Sequence, residues 1–236
     1  MRLHLSKQAK IVLAIILTNA ILLAVISYFR FALYDEKLYL HETVMMSEVL
    51  RSGEWIGNYG VGLHGFLFKL PVALMYLITG PSIYVATLFH VILSSVTAWI
   101  FYLLIEKIPK LKKWAIWALL LLLLNYSFFS WSLTFHREMP VLFALMLFTY
   151  NIIHNREKVF LNGILLLLIL DAKEYVFYGL LPALGMYLFI LKYTDLKNLW
   201  KSIIFSLRDY ILLLIPSVVF LILMFTTSLI PINMFN

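Results

Sequence analysis

Three short clusters of ionisable residues interrupt an otherwise apolar chain. They are Asp35-Glu36, Arg137-Glu138 and Asp171-Ala172-Lys173-Glu174. Carboxylates in such clusters can accept a proton in general base catalysis, and cationic side chains can stabilise negative charge that develops in a transition state. The same residue types also occur without chemistry. An acidic pair before a helix is a common N-cap, and an Arg-Glu pair at a helix entrance is a common interfacial ion pair.

The third cluster differs from an ordinary loop. Asp171, Lys173 and Glu174 lie between two apolar runs with almost no intervening sequence that would expose them to water. Charges held this close to hydrocarbon are costly, and they tend to line a cavity or an ion pathway. The position therefore favours a functional role for Lys173.

The remaining motifs do not point to other chemistries. The chain has no Cys, which excludes thiol catalysis and disulfides, and the spacing of its six His is not typical of metal ligands. We find no phosphate-binding loop, nucleophile elbow or dinucleotide fingerprint. The sequence therefore predicts no metal site and no required cofactor. His90 and Asn125 lie within apolar runs, and we interpret them as residues that form hydrogen bonds between helices.

The composition is that of an integral membrane protein. Of the 236 residues, 63% are hydrophobic and only 13% are charged, and the mean hydropathy is +0.94. A soluble domain of this size is closer to half apolar and a quarter charged. The net charge of +7 does not indicate nucleic acid binding, because the basic residues form short blocks between apolar runs, as in cytoplasmic loops.

Eight apolar runs are candidates for membrane spans. They cover residues 11–29, 65–79, 82–105, 114–130, 139–153, 159–171, 175–191 and 209–229. The run 65–79 contains Lys69 and Pro71, and as a helix it reaches only about 22 Å. If it does not cross and the N-terminus is cytoplasmic, 13 of the 19 Lys and Arg lie inside; if it crosses, only 5 do. The positive-inside rule therefore predicts seven spans.

We expect one all-α polytopic domain over residues 1–236, in the cell membrane and with a long first outer loop at 30–81. Asp35-Glu36 start a surface helix of about four turns in this loop, which Gly53 ends. The run 65–79 then dips into the membrane. The first run, 11–29, is too long for a signal-peptide core and is interpreted as a retained span. Residues 194–207 resemble an amphipathic segment on the inner surface.

The order of these features resembles the membrane module of GT-C glycosyltransferases, which include protein O-mannosyltransferases and lipid A aminoarabinose transferases. The similar stretches follow the acidic pair after the first span, and they read RSGEW, LITGPSIY, FHREMPVLFALMLFTY and LDAKEYVFYGLLPAL. The resemblance covers roughly residues 1–230. It implies an extracytoplasmic active site that takes a sugar from a polyprenyl-phosphate donor in the membrane lipid.

The resemblance also implies roles for individual residues. Asp35 would be the catalytic base for an acceptor hydroxyl or amine, and the anomeric centre would be inverted. Glu36 would assist. Glu138 takes the second acidic position, where relatives usually have Asp, and would orient the acceptor or a divalent metal. The donor phosphate would be bound by three cations, which are Lys69, Arg137 and Lys173.

In one respect the sequence departs from this family. Family enzymes usually continue with further spans and an outer soluble domain, whereas this chain ends after about seven spans, at SLIPINMFN. It is a minimal enzyme, a fragment, a subunit that a partner completes, or a non-catalytic scaffold with the same fold. A small transporter or flippase is a third hypothesis, disfavoured because the sequence has no inverted repeat.

Overall fold

The fold is known from a computed structural model, which describes residues 6–29, 34–53, 65–154 and 159–226. The regular structure in these ranges is helical. The helices are α1 (Lys7–Tyr28), α2 (Tyr34–Ser52), α3 (Phe66–Thr79), α4 (Ile83–Glu106), a 3₁₀ turn (Lys112–Trp114), α5 (Ala115–Leu124), α6 (Tyr126–Leu133), α7 (Glu138–His154), α8 (Val159–Ala172), α9 (Glu174–Leu196) and α10 (Leu199–Thr226).

The helices in the described ranges have the length and hydropathy of a membrane protein. Four contain segments long and apolar enough to cross a bilayer: Gln8–Tyr28, Ile83–Glu106, Glu174–Thr194 and Leu199–Val219. The bent pair of α5 and α6 makes a fifth if it is one span. Helices α3, α7 and α8 are apolar but shorter. The all-α prediction is confirmed, and the count of seven spans stays a prediction.

The described helices are held together by two large apolar clusters and a small one of Leu23, Val91 and Leu133. One large cluster lies among α1, α4, α5 and α7 and includes Val12, Ala98, Leu119 and Met139. The other large cluster joins α3 with α4, α7, α8, α9 and α10, and Leu166 is its fully buried centre on α8. Because α4 and α7 contribute buried residues to both large clusters, these two helices tie the two halves of the bundle together.

The run 65–79 forms the short helix α3, of 14 residues, and its dip into the membrane without crossing stays a prediction. Its N-cap is Gly65, which has a φ of 78° and so adopts a left-handed conformation that glycine tolerates best. The predicted helix that includes Asp35-Glu36 is confirmed as α2, and Gly53 ends it with a φ of 70°; its position at the membrane surface stays a prediction. The glycine-rich residues 57–62 lie outside the described residues.

The run 114–130 differs from its prediction as one straight span. It divides into α5 and α6, which are bent by 60° relative to each other. Asn125 causes the break, because its backbone is extended and its side chain accepts a hydrogen bond from the Phe128 amide. The interpretation of Asn125 as a residue that forms a hydrogen bond between helices was therefore wrong, since its side chain caps α6 instead.

The C-terminal part of the described chain differs as well. The sequence pattern predicts an amphipathic segment at 194–207 and a separate span at 209–229. In the structure, α10 runs without a break from Leu199 to Thr226. The interruption lies earlier, at Lys197, which has a φ of 49°. No helix-breaking residue occurs between positions 199 and 215, so the polar and apolar parts continue as one helix.

Helices α8 and α10 approach closely at Gly163. A Cβ atom at this position would lie 2.7 Å from Cγ of Pro216 and 2.9 Å from the carbonyl oxygen of Leu213. Real Cβ atoms do not approach other atoms so closely, and both neighbours are rigid. The small residue therefore allows the two helices to pack backbone to backbone, as is common between helices in membranes.

Gly163→Ala is expected to destabilise the protein by about 1–3 kcal/mol, because the added methyl group forces the two helices apart. Denaturation in detergent micelles measures the change. The matched control is Gly179→Ala on α9, where a Cβ would meet nothing within 4 Å. This control should be neutral or gain up to about 1 kcal/mol from helix propensity. Equal stability of both variants would contradict the close packing.

Candidate functional site

The N-terminus of α3 is capped by a residue from a distant helix. The Asp171 carboxylate accepts a hydrogen bond of 2.8 Å from the Leu67 amide, and the Gly65 amide donates to the Asp171 carbonyl at 3.0 Å. The first amides of a helix have no partners within the helix itself, and a carboxylate at this end also interacts favourably with the helix dipole. Asp171 therefore attaches the start of α3 to the end of α8.

Lys69 connects α3 to α2. Its ammonium lies 2.7 Å from Oε2 of Glu42, and the Lys69 side chain is fully buried while that of Glu42 is 19% exposed. A buried ammonium is costly unless it is paired. This ion pair therefore determines how α2, the helix that carries Asp35 and Glu36, lies against α3.

Glu36 and His90 hold the segment that leads into α7. The fully buried Glu36 accepts a hydrogen bond of 2.7 Å from the Phe135 amide. His90 Nδ1 lies 2.6 Å from the carbonyl oxygen of Thr134. A carbonyl only accepts, so Nδ1 carries the proton and donates it. The prediction that His90 forms a hydrogen bond between helices is confirmed.

Arg137, Glu138 and Lys173 meet where α7 begins and α8 ends. The Lys173 ammonium lies 2.6 Å from Oε1 of Glu138, and the two side chains are 14% and 23% exposed. Arg137 donates from Nη1 to the carbonyl oxygen of Ala172 at 3.3 Å. These three residues therefore form the partly exposed part of a set of polar contacts whose other members, at Asp171, Lys69 and Glu36, are buried.

The ion pair shifts both of its pKa values. Burial by itself would raise the pKa of Glu138 and lower that of Lys173. The hydrogen bond between them has the opposite effect and, with the other polar contacts, outweighs burial. The pKa of Glu138 is lowered and that of Lys173 is raised. Both groups are charged at neutral pH.

We call this set of contacts the charged junction. It comprises Glu36, Glu42, Lys69, Arg137, Glu138, Asp171 and Lys173. It thus unites residues from all three clusters that the sequence singled out. The backbone of Asp35 lies in the first turn of α2, next to Glu36, and its side chain is outside the described residues.

Two members of the charged junction were not assigned a role from sequence. In the sequence, Glu42 is one of several acidic residues in the first loop, and Asp171 is one member of a charged cluster; neither position indicates a particular contact. An indirect signal for Glu42 existed, since Lys69 in a short apolar run requires an anionic partner. The capping role of Asp171 had no such signal, because its target lies 104 residues away.

Within the residues that the structure describes, no three His, Asp or Glu side chains form a group that could hold a metal ion. Glu138 has Lys173 on one carboxylate oxygen, and the other oxygen lies 3.8 Å from Nδ1 of His136. A role for Glu138 in orienting a divalent metal stays a prediction. The neighbours of Glu138 suit the binding of an anionic group beside it.

Comparison with models of known protein families, with curated proteins and with solved structures finds nothing that matches this chain.

Lys69→Met is expected to destabilise the protein by about 3 kcal/mol, because it leaves the Glu42 carboxylate without its cation. Replacing both partners, in Lys69→Met with Glu42→Leu, should recover most of that loss. Denaturation in micelles measures all three free energies of unfolding. Lys192→Met is the control, because its pair with Asp209 is more exposed and should contribute less than about 1 kcal/mol. Equal losses in the single and double variants would contradict the coupling.

Glu138→Gln should remove part of the pH dependence of stability. Because the folded-state pKa of Glu138 is lowered, its contribution is present above the ordinary value of 4.5 and is lost as the pH falls through the lowered pKa. The stability difference between wild type and Glu138→Gln should therefore be largest at neutral pH and should shrink as the pH falls below 4.5 and through the lowered pKa.

Thermal unfolding of the two proteins across this pH range measures that difference. Glu48→Gln, at an exposed position on α2, is the control for loss of a carboxylate. A difference between wild type and Glu138→Gln that stays constant to the acid end would contradict a contribution from the ion pair.

Proposed function

We propose that the chain is a glycosyltransferase that uses a polyprenyl-phosphate-linked sugar. The observation that carries this proposal is the convergence of Arg137, Glu138 and Lys173 at one end of the bundle, with 2.6 Å between Lys173 and Glu138. Two cations beside a carboxylate at a membrane boundary suit a lipid phosphate that reacts with a polar acceptor. The resemblance of the sequence motifs to GT-C enzymes supports the same function.

The proposal includes seven spans, which lie in α1, α4, the bent pair α5–α6, residues 139–153 of α7, α8, α9 and α10. The N-terminus is cytoplasmic and the charged junction faces the extracytoplasmic side. The distribution of Lys and Arg supports this orientation, since 13 of 19 then lie in the cytoplasm. The helices of two of these spans, α7 and α8, are short, with 17 and 14 residues.

The proposed reaction is a direct displacement. The acceptor oxygen or nitrogen attacks the anomeric carbon and gives its proton to the Asp35 carboxylate. The bond between the anomeric carbon and the phosphate oxygen breaks, and the electron pair leaves with the polyprenyl phosphate. Attack from the side opposite the leaving group inverts the anomeric centre.

The leaving phosphate gains negative charge during this step, and Lys173 and Arg137 stabilise it. Lys173 is suited to this role because its pKa is raised and it stays protonated at neutral pH. A bound phosphate shares or replaces the contact that Glu138 makes with Lys173. Glu138 is then available to hold the acceptor.

The buried members of the charged junction are given supporting roles. Glu36 holds the Phe135 amide, and Lys69 pairs with Glu42, so both position the segments that carry the reacting groups. Direct contact of Lys69 with the donor phosphate stays a prediction. Its complete burial favours a role through the orientation of α2.

A non-catalytic membrane subunit is the second candidate. It is favoured by the same ion pairs, because Lys69 with Glu42 and Lys173 with Glu138 also serve simply to join helices. A scaffold of this kind would bind a partner chain through the same end of the bundle. It would tolerate Asp35→Asn without loss of function.

Lys173→Ala is expected to weaken binding of a polyprenyl-monophosphate sugar at least about tenfold, which corresponds to about 1.4 kcal/mol. Asp35→Asn should keep the binding and lose at least about a hundredfold in transfer rate, the scale of a missing general base. Binding of labelled donor to detergent-purified protein and transfer to a panel of hydroxyl and amine acceptors are the measurements.

Lys192→Ala is the matched control for the binding experiment. Lys192 lies on α9, towards the end opposite Lys173, and it also pairs with a carboxylate, Asp209, at 3.0 Å. The control should bind the donor as wild type does. Transfer that Asp35→Asn leaves intact would overturn the mechanism, and wild type that binds no donor would favour the scaffold.

A further inference from the structure

A basic groove lies at the end of the bundle opposite the charged junction. It has a volume of about 600 Å³ and is lined by Gln8, Pro109, Lys110, Lys112 and Lys113. Gln8 is in the first turn of α1, and the other residues belong to the connection between α4 and α5. The groove is therefore formed where a helix end meets a lysine-rich turn.

Helix α4 separates the two sites. His90, near its start, contacts the segment that leads into the charged junction, and Lys107 follows its last residue. His90 and Lys107 are 17 residues apart, which corresponds to about 26 Å at 1.5 Å per residue of helix. The groove is thus too far away to contact a ligand that lies in the charged junction.

The aromatic residues beside the groove indicate its depth relative to the bilayer. Trp114 and Trp117 are 54% and 62% exposed, and α5 continues from this point as an almost purely aliphatic helix. Exposed tryptophans beside an apolar helix are typical of the interface between hydrocarbon and water. The lysines of the groove therefore lie at the level of lipid headgroups.

The charge of the groove is mainly positive. Lys112 lies 3.4 Å from Glu106, and Lys113 lies 5.5 Å from the ring centroid of Trp114. Lys107 is directed elsewhere, since its ammonium donates to the Tyr150 hydroxyl at 2.7 Å. One carboxylate thus offsets one of the three lining lysines, and a net positive charge remains for an anion.

We propose that this groove binds the phosphate of an anionic phospholipid headgroup. Lys110 and Lys113 contact the phosphate, Gln8 offers an amide to its oxygens or to the headgroup hydroxyls, and Trp114 rests against the upper acyl chain. Lysine clusters directly beside a membrane helix attract anionic lipids in this way. The proposal is independent of any transferase activity.

The test uses the full chain in neutral detergent micelles with fluorescent phosphatidylglycerol as the probe, followed by anisotropy. Lys110→Gln with Lys113→Gln removes two charges and keeps the contact between Lys112 and Glu106. The apparent Kd of this double variant for fluorescent phosphatidylglycerol should be at least about tenfold higher than that of wild type. Unlabelled phosphatidylglycerol should compete in wild type, and phosphatidylcholine with the same chains should not.

The matched control is Lys197→Gln with Lys201→Gln. These exposed lysines flank the connection between α9 and α10, and the control removes the same charge outside the groove. It should change the apparent Kd less than about threefold. Thermal unfolding in neutral micelles checks that both double variants are folded.

Three results would overturn the proposal. The first is equal weakening by the two double variants, because diffuse surface charge then explains the binding. The second is competition by phosphatidylcholine as strong as that by phosphatidylglycerol, because the phosphate charge is then not selected. The third is competition by soluble glycerol phosphate at the same concentration as the lipid, because the groove then takes a free phosphate ester.

Discussion

The capping of α3 by Asp171 is the interaction on which the charged junction depends. A helix of 14 residues has four amides at its start without internal partners, so it needs an external acceptor where water is scarce. Asp171 supplies that acceptor from the end of α8. Once α3 is docked in this way, Lys69 lies one turn further along and meets Glu42, which in turn positions α2. The cap therefore organises contacts that it does not itself make.

Charge pairing gives the junction its electrostatic character. Lys69 with Glu42 and Lys173 with Glu138 are two close ion pairs, the first deeply buried and the second partly exposed. In a region of low dielectric constant, paired charges have weak fields at a distance but strong local interactions. An anionic ligand gains most where a cation can exchange partners, and that is at the exposed pair. The buried pair is suited to a fixed structure.

The sequence predicts local features of this protein better than distant ones. Helix α2 and its end at Gly53 follow from local signals, and so does the short helix α3. The break at Asn125 does not follow from the sequence pattern because the apolar run 114–130 suggests one span, and a single capping residue outweighs that pattern. The partner of Asp171 lies 104 residues away, and no local periodicity reveals such a contact. The convergence of the three clusters thus required the tertiary packing.

The bend between α5 and α6 has a consequence for the surrounding lipid. The two helices have 10 and 8 residues, so even end to end they would reach only about 27 Å, and a bend of 60° makes their reach shorter than a hydrocarbon core of about 30 Å. Leu121, Leu124 and Tyr126 are more than 70% exposed on this bent pair. If the bent pair is one span, hydrophobic mismatch at this edge would favour local thinning of the bilayer and would concentrate short-chain lipids beside α5 and α6.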